Sequence, residues 1–121
     1  MSFLGRIIVY IVANSIAIMA ADRIIPGFVF FGSWQDLLFA GAILGIINAV
    51  LKPILKLLAL PIIFLTLGLF SIIINIALLY LAESLIPQLQ IDSFWSALGG
   101  VIIISIVNNI IFSLAKKKEN S

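Results

Sequence analysis

The side chains in this sequence that could do chemistry are few, and the missing types decide most. Among 121 residues there is no cysteine and no histidine. That removes disulfides, thiolate nucleophiles, imidazole acid–base catalysis and the usual transition-metal ligand sets together. No nucleophile stands with a base and an orienting group, so the sequence predicts no enzyme, no metal site and no cofactor. What remains is a set of amides and hydroxyls inside long apolar runs: Asn14, Ser15, Asn48, Ser71, Asn75, Ser105, Asn108 and Asn109. An unpaired amide in hydrocarbon costs several kcal/mol, so each of these needs a partner. Two uses are open. They bond across helices and fix the packing, or they line a polar path or an oligomer seam.

The elements that position these groups follow from composition. The chain is 64% hydrophobic and 10% charged, with a mean hydropathy of +1.32. A soluble domain carries about a quarter of its residues charged, so a soluble helical protein is excluded and an all-α membrane protein is expected. Crossing a bilayer core takes about 20 residues of helix. Four stretches qualify, at 7–25, 34–51, 62–82 and 94–115, followed by a tail at 116–121. None has an ionisable group near its middle, which disfavours proton-coupled pumps, voltage sensors and charged selectivity rings.

The connections differ in kind. Pro26 and Pro87 each stop a helix, and Ser33 and Ser93 are placed to cap the next one. Trp34 and Trp95 follow those caps as interfacial anchors, where an indole straddles lipid and water. The central segment from Lys52 to Pro61 is basic, apolar and contains two prolines, which predicts a bent helix end or an interfacial segment. Arg6, Lys52, Lys56, Lys116, Lys117 and Lys118 fall on one side of the four-span arrangement, whereas Asp22, Asp36, Glu83 and Asp92 fall on the other with Arg23, the one basic exception. Basic residues are retained in the cytoplasm, so both termini are expected there. The lysines serve as interfacial anchors to anionic lipid, and three tail lysines do not make a nucleic-acid patch. The net charge of +2 is therefore a membrane-edge charge.

Shifting the chain by 61 positions aligns its halves without a gap: Asn14 on Asn75, Asp22 on Glu83, Ile25-Pro26 on Ile86-Pro87, Trp34 on Trp95, Asn48 on Asn109, Lys56 on Lys117. Such coincidence of rare residues marks an internal repeat. It predicts two tandem helical hairpins, at about 7–60 and 62–117, in a single domain covering 1–121. Each hairpin holds an even number of spans, so the pseudo-two-fold axis runs along the membrane normal. Span one is equivalent to span three and is not a cleaved signal; the residue three places before an Ala20-Ala21 cut is also too large. The same axis places Val29–Phe31 against Gln90–Asp92 as a short antiparallel two-stranded ribbon on the outer face, or else as irregular interfacial loops. It also picks Asn14 with Asn75 and Asn48 with Asn109 as intramembrane polar pairs.

Two further features stay open at this level. Gly41, Gly45 and Ala49 recur every four residues, a small-residue face for a homo-oligomer or for a neighbouring helix of the same chain. Asp22 and Glu83 sit at helix C-terminal ends, where the dipole disfavours them. They either cap neighbouring helix N-termini or form a solvated acidic rim.

The run Leu44-Gly45-Ile46-Ile47-Asn48-Ala49-Val50-Leu51-Lys52-Pro53-Ile54-Leu55, the run Leu60-Pro61-Ile62-Ile63-Phe64-Leu65-Thr66-Leu67-Gly68-Leu69-Phe70, Asn75 with Ala77-Leu78-Leu79, and the twin proline loops ending in Trp34 and Trp95 resemble the mycobacterial four-transmembrane phage holin family, superfamily IV. The resemblance covers nearly the whole chain, with Gln88 where a Gly is expected after the second loop proline. It implies a holin-like protein that assembles in the inner membrane and permeabilises it. A non-lytic membrane protein, in envelope stress, scaffolding or passage of small neutral solutes, is the other expectation. The bilayer is the expected partner, with a homo-oligomer as a second and no nucleic acid.

Overall fold

A computed structural model describes residues 2–119. Helix α1 (Phe3–Ile24) starts where the Ser2 side chain accepts from Gly5 N, and stops before Ile25-Pro26. Strand β1 (Phe28–Phe30) leads to α2 (Trp34–Ile46), whose start is fixed by a capping box between Ser33 and Asp36. The run continues through a π-helical turn (Ile47–Leu51) into α3 (Lys52–Leu58), then α4 (Leu60–Leu65). Next come α5 (Leu69–Leu85), strand β2 (Leu89–Ile91) and α6 (Phe94–Glu119). Among the described residues, three helical runs are long and apolar enough to cross a membrane: Phe3–Ile24, Trp34–Leu58 and Phe94–Lys118. Helix α5 is apolar but has 17 residues. At ~1.5 Å per residue it reaches only about 25 Å.

The end of the second run and the start of the third depart most from the expected 34–51 and 62–82, and both shifts have a backbone cause. The second run does not stop at Leu51, because the π turn just ahead of Pro53 widens the helix where the proline ring meets the carbonyl one turn back. The third begins at Leu69 rather than Ile62. At the end of α4, Gly68 N donates to Ile63 O at 2.8 Å and Leu67 N donates to Phe64 O at 3.2 Å. This is a Schellman closure with Leu67, at φ 55, in the left-handed position usually given to glycine. Gly68 follows at φ 90, reversing the chain into α5.

The expected two-stranded ribbon is present, one residue earlier than the sequence placed it. β1 and β2 pair antiparallel, Phe28 with Ile91, Val29 with Gln90 and Phe30 with Leu89. It closes one end of the bundle, the ribbon end; Arg6, Lys52, Lys56 and Lys116–Lys118 lie toward the other, the lysine end. Helix α1 is central and packs chiefly on α2 and α6, while α5 leans on α6. Its contact face is a line of alanines, Ala13, Ala17 and Ala21, all fully buried, which lets neighbouring backbones come close. Leu44, Ile47, Leu78, Leu79, Val101 and Ile104 fill the middle, and Phe28 drops fully buried from β1 over Gly100, where any Cβ would strike its ring. The outward faces are mostly apolar: Phe64 is 81% exposed and Leu67 93%. Such a surface is at home in lipid rather than in water.

Candidate functional site

The polar residues of the bundle's middle converge on one amide. Asn14 is 1% exposed. Its Oδ1 accepts from Asn48 Nδ2 and from Asn108 Nδ2, each at 3.1 Å, and its own Nδ2 donates to Tyr10 O at 2.8 Å. One side chain thus ties α1 to the α2 run and to α6. Ser15, next along α1, shares its hydroxyl proton between Ile11 O at 2.7 Å and Leu37 O at 3.2 Å, adding a second polar tie to α2.

The pairs picked from the repeat are not the pairs that form among the described residues. Asn14 bonds Asn48 and Asn108, not Asn75, and Asn109 is exposed on the bundle surface. The reason is helix register. Ser93 caps α6 by accepting from Ser96 N, so α6 starts one residue earlier, relative to the repeat, than α2 does behind Ser33. Counted from each cap, Asn108 and not Asn109 is the counterpart of Asn48. The paired serine caps were the sequence signal that could have found this.

Asn75 makes the same local bond as Asn14, donating from Nδ2 to the carbonyl one turn back, Ser71 O, at 3.0 Å. Its buried Oδ1 has no protein donor, and neither has that of Asn108. Asn75 lines a small cavity of about 20 Å³ together with Asn48, Lys52 and Ser105, with Leu44, Leu79, Val101 and Ile104 as its apolar walls. Lys52 is half-buried at the end of this cavity nearest the lysine end, with Lys56 one turn further along α3.

At the ribbon end, Asp22 Oδ1 accepts from Phe30 N at 3.1 Å and Glu83 Oε2 accepts from Ile91 N at 2.6 Å. These carboxylates hold strand donors, not helix N-termini as one sequence reading had it. The N-termini are already served by Ser33, Asp36 and Ser93. Two charge-assisted bonds thereby fix both edges of the ribbon to the helices that precede them. Trp34 and Trp95 stand outward beside it, 67% and 75% exposed.

The small-residue face of α2 meets α1. A Cβ at Gly41 would collide with Ser15 Oγ and the Ile11 carbonyl, and one at Gly45 would lie 3.3 Å from Asn14 Nδ2. Ala49 is exposed and walls an apolar groove of about 380 Å³ between α1 and the α2 run, with Phe3, Ile7, Tyr10, Ile46 and Val50. Lys116, Lys117 and Lys118 are exposed at the end of α6. No cluster of three or more acidic, histidine or cysteine residues able to hold a metal occurs among the described residues.

Comparison with known proteins places this bundle. The profile of the family described as mycobacterial 4 TMS phage holin, superfamily IV, matches residues 5–110. The chain belongs to this family. Among curated relatives of this holin-family chain, an uncharacterized protein of Streptomyces coelicolor is 33% identical over 112 residues, covering 88% of this chain and 90% of the relative. The uncharacterized membrane protein YvlD of Bacillus subtilis is 32% identical over 104 residues, covering 85% and 87%. No solved structure matches significantly. The family, the apolar helices and the relatives together make this an integral membrane protein of the holin family.

Proposed function

We propose that this holin-family chain crosses the bacterial cytoplasmic membrane four times, as two tandem hairpins with both termini inside, and works there as a sealed, non-lytic bundle. Support for the hairpin repeat comes from bonds that recur 61 positions apart. Phe30 N on Asp22 is matched by Ile91 N on Glu83, Phe31 N on Gln88 O by Asp92 N on Gly27 O, and Phe28 N on Ile25 O by Leu89 N on Ile86 O. A two-fold axis along the membrane normal through the Val29–Gln90 pair relates them. The fourth crossing is α5, whose shortfall from a bilayer core of ~30 Å is met by tilt of its neighbours or local thinning. The orientation rests on the basic residues gathered at the lysine end.

The observation that carries the non-lytic reading is the closure of the bundle's middle by Asn14, Asn48 and Asn108, with Gly41 and Gly45 packed inside the chain instead of offered to a second copy. Family membership favours a different reading, an oligomer that permeabilises the membrane, with the Ala49 groove as its seam. Overproduction in the presence of a membrane-impermeant nucleic-acid dye separates the two. The sealed reading expects no dye entry at expression levels where the protein is abundant in the membrane fraction; entry that follows expression overturns it in favour of the oligomeric pore.

A further inference from the structure

We infer that the cavity beneath Asn75 is a hydration site that takes a single water-sized hydrogen-bond donor, water itself, from the lysine end of the bundle. The first ground is the acceptor. Asn75 Oδ1 is buried without a protein donor while the Nδ2 of the same amide is committed to Ser71 O, so the side chain is held with its carbonyl unsatisfied. Leaving such a group unpaired costs about 1–3 kcal/mol, so a small turn of the amide that lets a water in the adjoining cavity donate to it is favoured.

The second ground is space and chemistry. The cavity measures about 20 Å³. A water needs roughly 10–15 Å³ by this measure and two to four polar partners. Besides Asn75, the wall carries Asn48, Ser105 and Lys52, which supplies those partners. The volume excludes any solute much larger than one water. A metal or ammonium cation of similar size is opposed by the Lys52 ammonium on the same wall, which repels positive charge at short range.

The third ground is the shape of the inner half. Helix α5 begins at Leu69, only six residues before Asn75, so its backbone gives out about 9 Å beyond that side chain. The α2 run continues past Asn48 to Leu58, and α6 past Ser105 to Glu119. Lys52 stands one turn beyond Asn48 on the same side of its helix. Water therefore enters along Lys52 and stops where Asn14 gathers Asn48 and Asn108, so hydration is one-sided. This inference concerns residues of a single chain and stands or falls separately from the dye experiment.

The absence of native cysteine makes the test clean. Ser105→Cys and, as a half-exposed control on the outer face of the same helix, Ile102→Cys are introduced singly into the full chain in lipid nanodiscs and treated with hydrogen peroxide, a neutral probe of nearly water size that oxidises a thiolate to the sulfenate and leaves as water. Thiol reaction needs an aqueous path that permits the thiolate, so Ser105→Cys is expected to react at least about tenfold faster than Ile102→Cys. Equal rates, or no reaction at Ser105→Cys, overturn the inference. Unsubstituted protein gives a second measurement that does not depend on any variant folding. Water-edited solid-state NMR is expected to show early polarisation transfer to the Asn75 side-chain amide and late transfer to that of Asn14. Transfer to Asn75 as slow as to Asn14 also overturns it.

Discussion

Asn14 and Asn75, which the proposed repeat sets at matching positions, begin identically, each donating to the carbonyl four residues back, at Tyr10 and Ser71. They end differently. Asn14 Oδ1 collects two interhelical donors, and Asn75 Oδ1 collects no protein donor. The local bond depends on one helix only, so a matching sequence reproduces it. The interhelical bonds depend on the register of two other helices, and there the halves diverge. Asn48 and Asn108 each stand fifteen positions beyond a capping serine, and both donate to Asn14 on α1 rather than to Asn75 on α5. One half spends the available donors on rigidity; the other leaves an acceptor beside a cavity.

The strongest way to break this comparison is to remove the two amides in turn. Asn14→Leu strands the Nδ2 groups of Asn48 and Asn108, each at about 1–3 kcal/mol if left unpaired, though interhelical bonds in bilayers measure lower because the separated helices find other partners. An overall loss of about 2 kcal/mol is expected in reversible unfolding from mixed micelles. Asn75→Leu removes a local bond together with an unsatisfied acceptor, so its loss is expected to stay under about 1 kcal/mol. Equal losses would mean that the asymmetry has no energetic content.

The ribbon end provides the opposite expectation, of equality. Asp22→Ala frees Phe30 N and Glu83→Ala frees Ile91 N, and each variant is expected to lose about 1–2 kcal/mol and to speed amide exchange at the freed strand residue. Hydrogen-exchange mass spectrometry or NMR on both variants reads this directly. If one carboxylate matters and the other does not, the two-fold relation at this end is a resemblance of numbers rather than of forces.

The parts of the fold legible in the sequence were those written in local, rare residues. Proline stops at Pro26 and Pro87, serine caps at Ser33 and Ser93 and long apolar runs place α1, α2 and α6, and the paired outer segments place the ribbon. The break at Leu67-Gly68 was not legible, because a leucine in the left-handed position gives no warning and Gly68 inside an apolar run reads as a tolerated helix residue. Of the polar core, the participation of Asn14 and Asn48 was legible and their partner on α6 was not. Choosing between Asn108 and Asn109 requires knowing a helix start to one residue, and adjacent positions differ by ~100° in direction. The alanine line of α1 was equally hidden, since alanine recurs throughout apolar sequence and reveals its face only after packing.

That one-residue choice yields the smallest effect and the sharpest discrimination. Asn109→Leu alters an exposed side chain facing away from Asn14, and a change within about 0.5 kcal/mol is expected. Asn108→Leu removes one of the two donors to Asn14 Oδ1 together with an unpaired Oδ1, so it is expected to cost more than its neighbour, at about 1 kcal/mol, the mid-range worth of one such bond. The pair differs by one position and is nearly identical in composition and hydrophobicity, so insertion and expression effects cancel between them. A larger loss at Asn109 than at Asn108 would restore the gapless register of the repeat to α6 and return Asn75 a donor, erasing the difference between the two halves on which the cavity depends.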